Sequence, residues 1–130
     1  MIVIDASLGL EMFLGGRDAI RVKDQIDAAG REMAVPEVFD LEIIQSLRRL
    51  AFKKQISADR AEQALDVARH APLDRFSHSV MRDRIWSLRD NLSAYDAAYV
   101  ALAEMLDAPL WTRDLKFTGV PGASAEVKRL

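Results

Sequence analysis

Ser93-Ala94-Tyr95-Asp96-Ala97-Ala98-Tyr99-Val100-Ala101-Leu102-Ala103 is the stretch from which the rest of the chain is read. It has the composition of a helix buried nearly all round, capped by Ser93, with a single carboxylate, Asp96, set into its first turn. An acid on such a surface is costly to desolvate unless a cation or hydrogen-bond donors satisfy it. No Lys or Arg lies within one helical turn of Asp96, so its partner comes from elsewhere in the fold or is a metal ion.

Outward from this helix, short apolar strands alternate with helical patterns. Strands are predicted at 1–4, 33–35 (stopped by Pro36), 73–76 and 109–112, with at most one more near Glu126-Val127. Helices are predicted at 7–13 (capped by Ser7, closed by Gly15-Gly16), 18–29, 38–54, 57–70, 77–89 and 93–106. This alternation predicts an α/β fold, a parallel β-sheet flanked by helices on both faces, as one domain over residues 1–130.

Half of the 130 residues are hydrophobic, enough for a packed core. The chain has no cysteine, which excludes disulfides, thiolate zinc sites and cysteine nucleophiles. Met-Ile-Val-Ile-Asp lacks the basic start of a signal peptide and no apolar run is long enough to span a bilayer, so a cytoplasmic protein with no membrane partner is expected. The net charge of −2, taken by itself, argues against a nucleic-acid partner. If four acids belong to one metal-filled pocket, however, the remainder carries 18 positive against 16 negative charges, and RNA is not excluded.

Those four acids sit in comparably odd places. Asp5 ends the apolar strand Ile2-Val3-Ile4, Glu42 lies in an early turn of the 38–54 helix, Asp96 is in the buried helix, and Asp114 follows Leu110-Trp111-Thr112-Arg113. In open parallel sheets, ligands bind beyond the carboxyl ends of the strands, where strand order reverses. Strands ending at Asp5 and Thr112, if neighbours, bring the four acids to one cleft, and oxygen-only ligands suit Mg²⁺ or Mn²⁺. Without metal, four close carboxylates repel and titrate at raised, coupled pKa values. Each acid also has an ordinary reading. Asp5 can cap the following helix, Asp96 can close a capping box with Ser93, Glu42 can pair with Arg49, and Asp114 can be a turn residue. Glu37 and Asp40 compete locally with Glu42, though Asp40 shares a face with Ile43, Ile44 and Leu47.

At these residues the chain resembles the PIN-domain ribonucleases, specifically the toxins of VapBC-type toxin–antitoxin modules. The likeness runs from Met1-Ile2-Val3-Ile4-Asp5-Ala6-Ser7 through Pro36–Arg49 and Leu92–Glu104 to Pro109-Leu110-Trp111-Thr112-Arg113-Asp114. Tyr-Asp-Ala-Ala-Tyr followed by Thr-x-Asp is its most specific part. Gln45-Ser46 departs from the pattern, standing where many of those proteins carry an asparagine. The resemblance implies a PIN-like three-layer sandwich with Asp5, Glu42, Asp96 and Asp114 as metal ligands. It further implies a Mg²⁺-dependent endoribonuclease acting on RNA, a cognate antitoxin, and a homodimer. Ser7 and Thr112 are candidate donors behind the ligands. Arg48, Arg49, Lys53, Lys54, Arg113 and Lys116 are candidate guides for the RNA backbone. Trp86, Phe52 and the Leu47-Leu50 stripe offer core packing or a dimer or antitoxin surface, and His70 and His78 receive no role.

Other readings fit less well. A dehalogenase-like phosphatase needs a second Asp where Ser7 stands, a receiver domain needs an acidic pair, and Ala6-Ser7-Leu8-Gly9 is no dinucleotide fingerprint. A non-catalytic PIN-like interaction domain and a housekeeping RNA-processing nuclease remain as alternatives.

Overall fold

The computed structural model describes all residues, 1–130. Five strands, β1 (Ile2–Ile4), β2 (Met33–Pro36), β3 (Leu73–Phe76), β4 (Leu110–Thr112) and β5 (Val127–Arg129), form one all-parallel sheet in the order β3-β2-β1-β4-β5. Six α-helices accompany them: α1 (Ala6–Leu14), α2 (Ala19–Ala28), α3 (Val38–Phe52), α4 (Ala58–His70), α5 (Arg82–Ser87) and α6 (Ala94–Leu106). Right-handed crossovers place α1 to α4 on one face. The connection from β3 to β4 carries α5 and α6 across the other, and the result is the expected three-layer α/β sandwich.

The first strands step outward from β1 to β2 to β3; the chain then crosses back to lay β4 on the opposite side of β1. Strand order therefore reverses between β1 and β4, whose carboxyl ends carry Asp5 and the 113–114 loop. Every residue of β1 and β4 is buried, which explains why both read as unbroken apolar runs rather than alternating ones.

Two glycines explain local geometry. Gly9 lies where a Cβ would meet the Phe39 ring at 2.6 Å, so α1 and α3 approach closely only because that side chain is missing. Gly15 takes the left-handed conformation (φ 62°) and ends α1 by donating back to Glu11 and Met12 carbonyls.

Some expectations need correction. Helix α1 is capped by Asp5, not Ser7, which lies inside the helix. The predicted 77–89 helix is a 3₁₀ turn, His78–Met81, followed by the short α5, with the buried Met81 at the junction. Helix α6 has seven consecutive buried residues, Ala97–Ala103, but Tyr95 and Met105 at its ends are open to solvent. Trp86 and Phe52 are 67% and 74% exposed, so of the two readings they carried, core packing is overturned.

Candidate active site

Asp5 is the most buried of the four acids, at 3% exposure. Its Oδ1 accepts from the Ser7 hydroxyl at 2.7 Å and the Leu8 N–H at 3.0 Å, and its Oδ2 accepts from the Thr112 hydroxyl at 2.6 Å. Both hydroxyls also accept: Ser7 Oγ from the Arg113 N–H at 3.0 Å, and Thr112 Oγ1 from the Asp114 N–H at 2.9 Å. Each hydroxyl thus gives its one proton to Asp5 and turns its lone pairs to the loop after β4. The capping reading of Asp5 and the donor reading of Ser7 and Thr112 meet here: Asp5 starts α1 through the Leu8 N–H, and the two hydroxyls that satisfy it hold the 113–114 loop against β1.

Desolvation raises the Asp5 carboxyl above its ordinary pKa; the bonds from Thr112, Leu8 and Ser7 and the charge of Lys116 only partly offset it. Glu42 is raised too, first by burial, with Asp96 and Asp5 adding repulsion against a hydrogen bond from Tyr99. The expected upward shifts are therefore present at these two acids, but burial contributes more than the mutual repulsion that motivated them.

Tyr99 is a residue that reading the sequence missed. It is fully buried, and its hydroxyl donates to Glu42 Oε1 at 2.6 Å, pinning a side chain from α3 to α6. The signal was its position three residues after Asp96, on the same helix face. Burial first, and then the Glu42 hydrogen bond, hold its hydroxyl protonated across the physiological range.

Asp96 finds its cation at Lys116, whose Nζ lies 3.0 Å from Asp96 Oδ1 and 3.6 Å from Asp114 Oδ2. Burial depresses the Lys116 ammonium, yet Asp96, Asp114 and Asp5 outweigh it and raise its pKa. The main-chain N–H of Asp96 is capped by Ser93 Oγ at 3.1 Å, so one half of the capping box forms. Asp114 is a turn residue as well: its Oδ1 accepts from the Lys116 N–H at 2.9 Å and starts a 3₁₀ turn, Leu115–Phe117.

Lys116 links Asp96 to Asp114 at the β1/β4 rim, Asp5 stands at the same rim behind Ser7 and Thr112, and Tyr99 ties Glu42 to the helix that carries Asp96. No three of the four acids stand close enough to wrap a metal ion as they are placed. The donor set nevertheless fits a hard divalent cation. Asp5 keeps one acceptor position on Oδ2, and Glu42 Oε2 and Asp96 Oδ2 have no protein donor.

Several neighbours have other duties. Asp40 forms a two-pronged pair with Arg75 (2.6 and 2.9 Å), which removes it as a rival to Glu42; Arg49 does not pair with Glu42. Arg113 is tied to Asp18 at 3.1 Å, so it braces the loop rather than standing free for RNA. His78 Nε2 accepts the Val38 N–H at 3.0 Å and supports the start of α3.

Residues 2–123 match the PIN domain. The chain belongs to the PIN-domain family. Its similarity is to the VapC ribonucleases: 40% identity over 127 residues with a VapC ribonuclease of Mycobacterium bovis, covering 98% of this chain and 96% of that one. Ribonuclease VapC1 of Mycobacterium tuberculosis is 36% identical over 132 residues, covering 97% of this chain and 95% of the relative. The fold of this PIN domain also matches that of VapBC2 from Rickettsia felis, solved bound to a DNA fragment from its promoter. That match has a TM-score of 0.73 at 14% identity and covers 99% of this chain and 98% of the other. As a VapC-type PIN protein it has no helix long and apolar enough to cross a membrane.

Proposed function

We propose that this protein is the ribonuclease toxin of a VapBC-type module and hydrolyses RNA phosphodiester bonds in a Mg²⁺- or Mn²⁺-dependent way. Asp5, Glu42, Asp96 and Asp114 form its metal site, a cognate antitoxin restrains it, and it works as a homodimer. The observation that carries the reading is the half-satisfied carboxylates at the β1/β4 reversal: Asp5 at the end of β1, Asp96 and Asp114 sharing one ammonium on Lys116, and Glu42 held to the Asp96 helix by Tyr99. The kinship with VapC ribonucleases supports the same chemistry.

A divalent ion held by these carboxylates supplies Lewis acidity, lowering the pKa of a water and screening the phosphate charge. Asp5 and Asp96 are the principal ligands. Asp5 is oriented by three donors and has one lone pair left, and Asp96 sits in the first turn of α6, where the backbone N–H groups favour negative charge. Glu42 is suited to take the proton of the attacking water, because its pKa is raised and Tyr99 fixes one oxygen while leaving the other free. Water attacks phosphorus in line as Glu42 takes its proton, the bond to the 3′ oxygen breaks, and that oxygen takes a proton from solvent while Glu42 releases its own. Lys116, ion-paired only to Asp96 and Asp114 and more than two-fifths exposed, would supply positive charge beside the phosphate. No side chain serves as a covalent nucleophile.

The test is incubation of the purified protein with structured RNA in Mg²⁺ or in EDTA, beside Asp96→Asn. Cleavage only by the wild type in Mg²⁺ supports the reading. Mg²⁺-dependent cleavage retained by a folded Asp96→Asn variant overturns the site, and no cleavage at all returns the protein to the interaction-domain reading.

A further inference from the structure

Beside Glu42, a depression of about 280 Å³ opens between α3 and the start of α6. Its lining includes Leu41, Glu42, Gln45, Ser46, Arg49 and Tyr95. Glu42 lines it and Tyr95 is next in sequence to Asp96, so whatever occupies it lies against one of the four acids and beside a second.

The chemistry of the lining is unusual for a free surface. Tyr95 is 64% exposed and Leu41 68%, each immediately preceding a site acid in sequence. Both are apolar surfaces left in water at the edge of a charged pocket. Gln45, Ser46 and Arg49 add an amide, a hydroxyl and a guanidinium, and Arg49 takes part in no ion pair. Glu42, Gln45, Ser46, Arg49 and Lys53 recur at three- and four-residue steps, which places them along one side of α3. The stripe leads from the acids to the basic end of the helix.

An aromatic ring, amide and hydroxyl groups for a base edge, and a cationic track leading away from a phosphodiester-cleaving centre are the elements by which single-stranded RNA is held. We infer that this depression is a nucleotide subsite: it takes the base of an unpaired RNA residue flanking the scissile phosphate, stacked on Tyr95, with Gln45 and Ser46 at its edge and Arg49 on the next phosphate. The inference rests on the proposed ribonuclease reading and adds where the substrate's base goes. Tyr95 is a positioning residue here, since it touches the substrate away from the reacting atoms. A second copy of this chain covering the same apolar pair is the rival occupant, but it would have to bury Arg49 without a partner on this chain.

The experiment pairs protein and substrate changes. Wild type, Tyr95→Phe and Tyr95→Ala are assayed in Mg²⁺ on a single-stranded RNA with one cleavage site and on copies carrying an abasic ribose at each flanking position in turn. Stacking of one base predicts that Tyr95→Ala raises KM about tenfold while kcat changes little, and that Tyr95→Phe behaves as wild type. At one flanking position the abasic substrate should cost the wild type a similar factor and cost Tyr95→Ala nothing further. If wild type cleaves RNA but the two losses multiply at every position, the subsite is overturned and the ribonuclease reading stands. The subsite is equally overturned if Tyr95→Ala converts a dimer to a monomer on sedimentation and no abasic position matters. If wild type cleaves no RNA, both fall.

Discussion

Helix α6 carries an acid near each end, and the fold treats them in opposite ways. Glu104, near the carboxyl end, is held on both oxygens: Arg84 donates to Oε2 at 2.6 Å and to Oε1 at 3.0 Å, and the Ser124 N–H adds a third bond at 2.8 Å. The same guanidinium reaches the Gly122 carbonyl at 2.7 Å, tying α5, α6 and the loop before β5 together. Asp96, near the amino end, has one flexible ammonium at 3.0 Å and an oxygen without a protein donor. The helix dipole alone would favour the anion at Asp96 and penalise it at Glu104, so the forked guanidinium more than reverses that preference locally. An acid saturated by a rigid planar partner belongs to the architecture. An acid left half-satisfied beside others, with a single displaceable cation, is available for chemistry.

The strongest way to break this contrast is to neutralise each acid in turn. Asp96→Asn should reduce Mg²⁺-dependent RNA cleavage by about 10²-fold or more, the scale of losing one electrostatic stabiliser of the transition state, while remaining folded by circular dichroism. Glu104→Gln should leave turnover per folded molecule at the wild-type level. Equal losses of activity in both variants would erase the distinction.

Stability should show the reverse order. Glu104→Gln should lower the unfolding free energy by about 1–2 kcal/mol in urea titration, the worth of charge-assisted hydrogen bonds discounted for the solvent around Arg84. An undiminished midpoint would show that the fork only decorates the surface.

The pH dependence separates the two groups by sign. Glu104 is held below its ordinary value, chiefly by the Arg84 hydrogen bond, so its contribution is present above about pH 4.5 and fades as pH falls through the lowered value. Asp5 and Glu42 are raised, so their contribution is present below their ordinary values of 3.8 and 4.5 and is lost as pH rises through the raised ones. In EDTA, Glu42→Gln should therefore melt above the wild type at pH 7 and lose that advantage near pH 4. Adding Mn²⁺ at pH 7 should favour the wild type instead. Thermal unfolding across this range checks both.

The smallest effect is expected at Lys116. Lys116→Met should lower the metal-free melting temperature by a few degrees, from loss of about 0.5–1 kcal/mol of partly exposed pairing. Mn²⁺ should then bind more tightly by titration calorimetry, since the ammonium no longer competes. Weaker binding would mean that Lys116 helps to hold the metal-bound arrangement.

Much of this could be read along the chain. The strand at 73–76 falls where the sequence places it, and α4, capped by Ser57, starts one residue after its cap as expected. Asp96, Asp5, Glu42 and Asp114 stood out because each interrupts or ends an apolar pattern. The break at Met81 was not legible, because a 3₁₀ turn running into an α-helix keeps nearly the same apolar spacing as one continuous helix. For Trp86 and Phe52, size and apolarity favoured the core over the surface reading that was also open. Their rings instead lie on the surface beneath the Arg89 and Arg48 guanidiniums, at 4.4 and 4.7 Å.

Sequence alone determined the parallel alternation of strands and helices and the four acids that do not belong in apolar surroundings. Both follow from local rules, the side-chain period of each element and the penalty for desolvating a carboxylate. Tertiary structure decided that β1 and β4 are neighbours, that Ser7 and Thr112 converge on Asp5, that Tyr99 holds Glu42, and that Lys116 answers Asp96. The pairings of Asp96, Glu42 and Asp5 with Lys116, Tyr99 and Thr112 join residues 20 to 107 positions apart, and the fold reaches them only through crossovers whose geometry no short window of sequence contains.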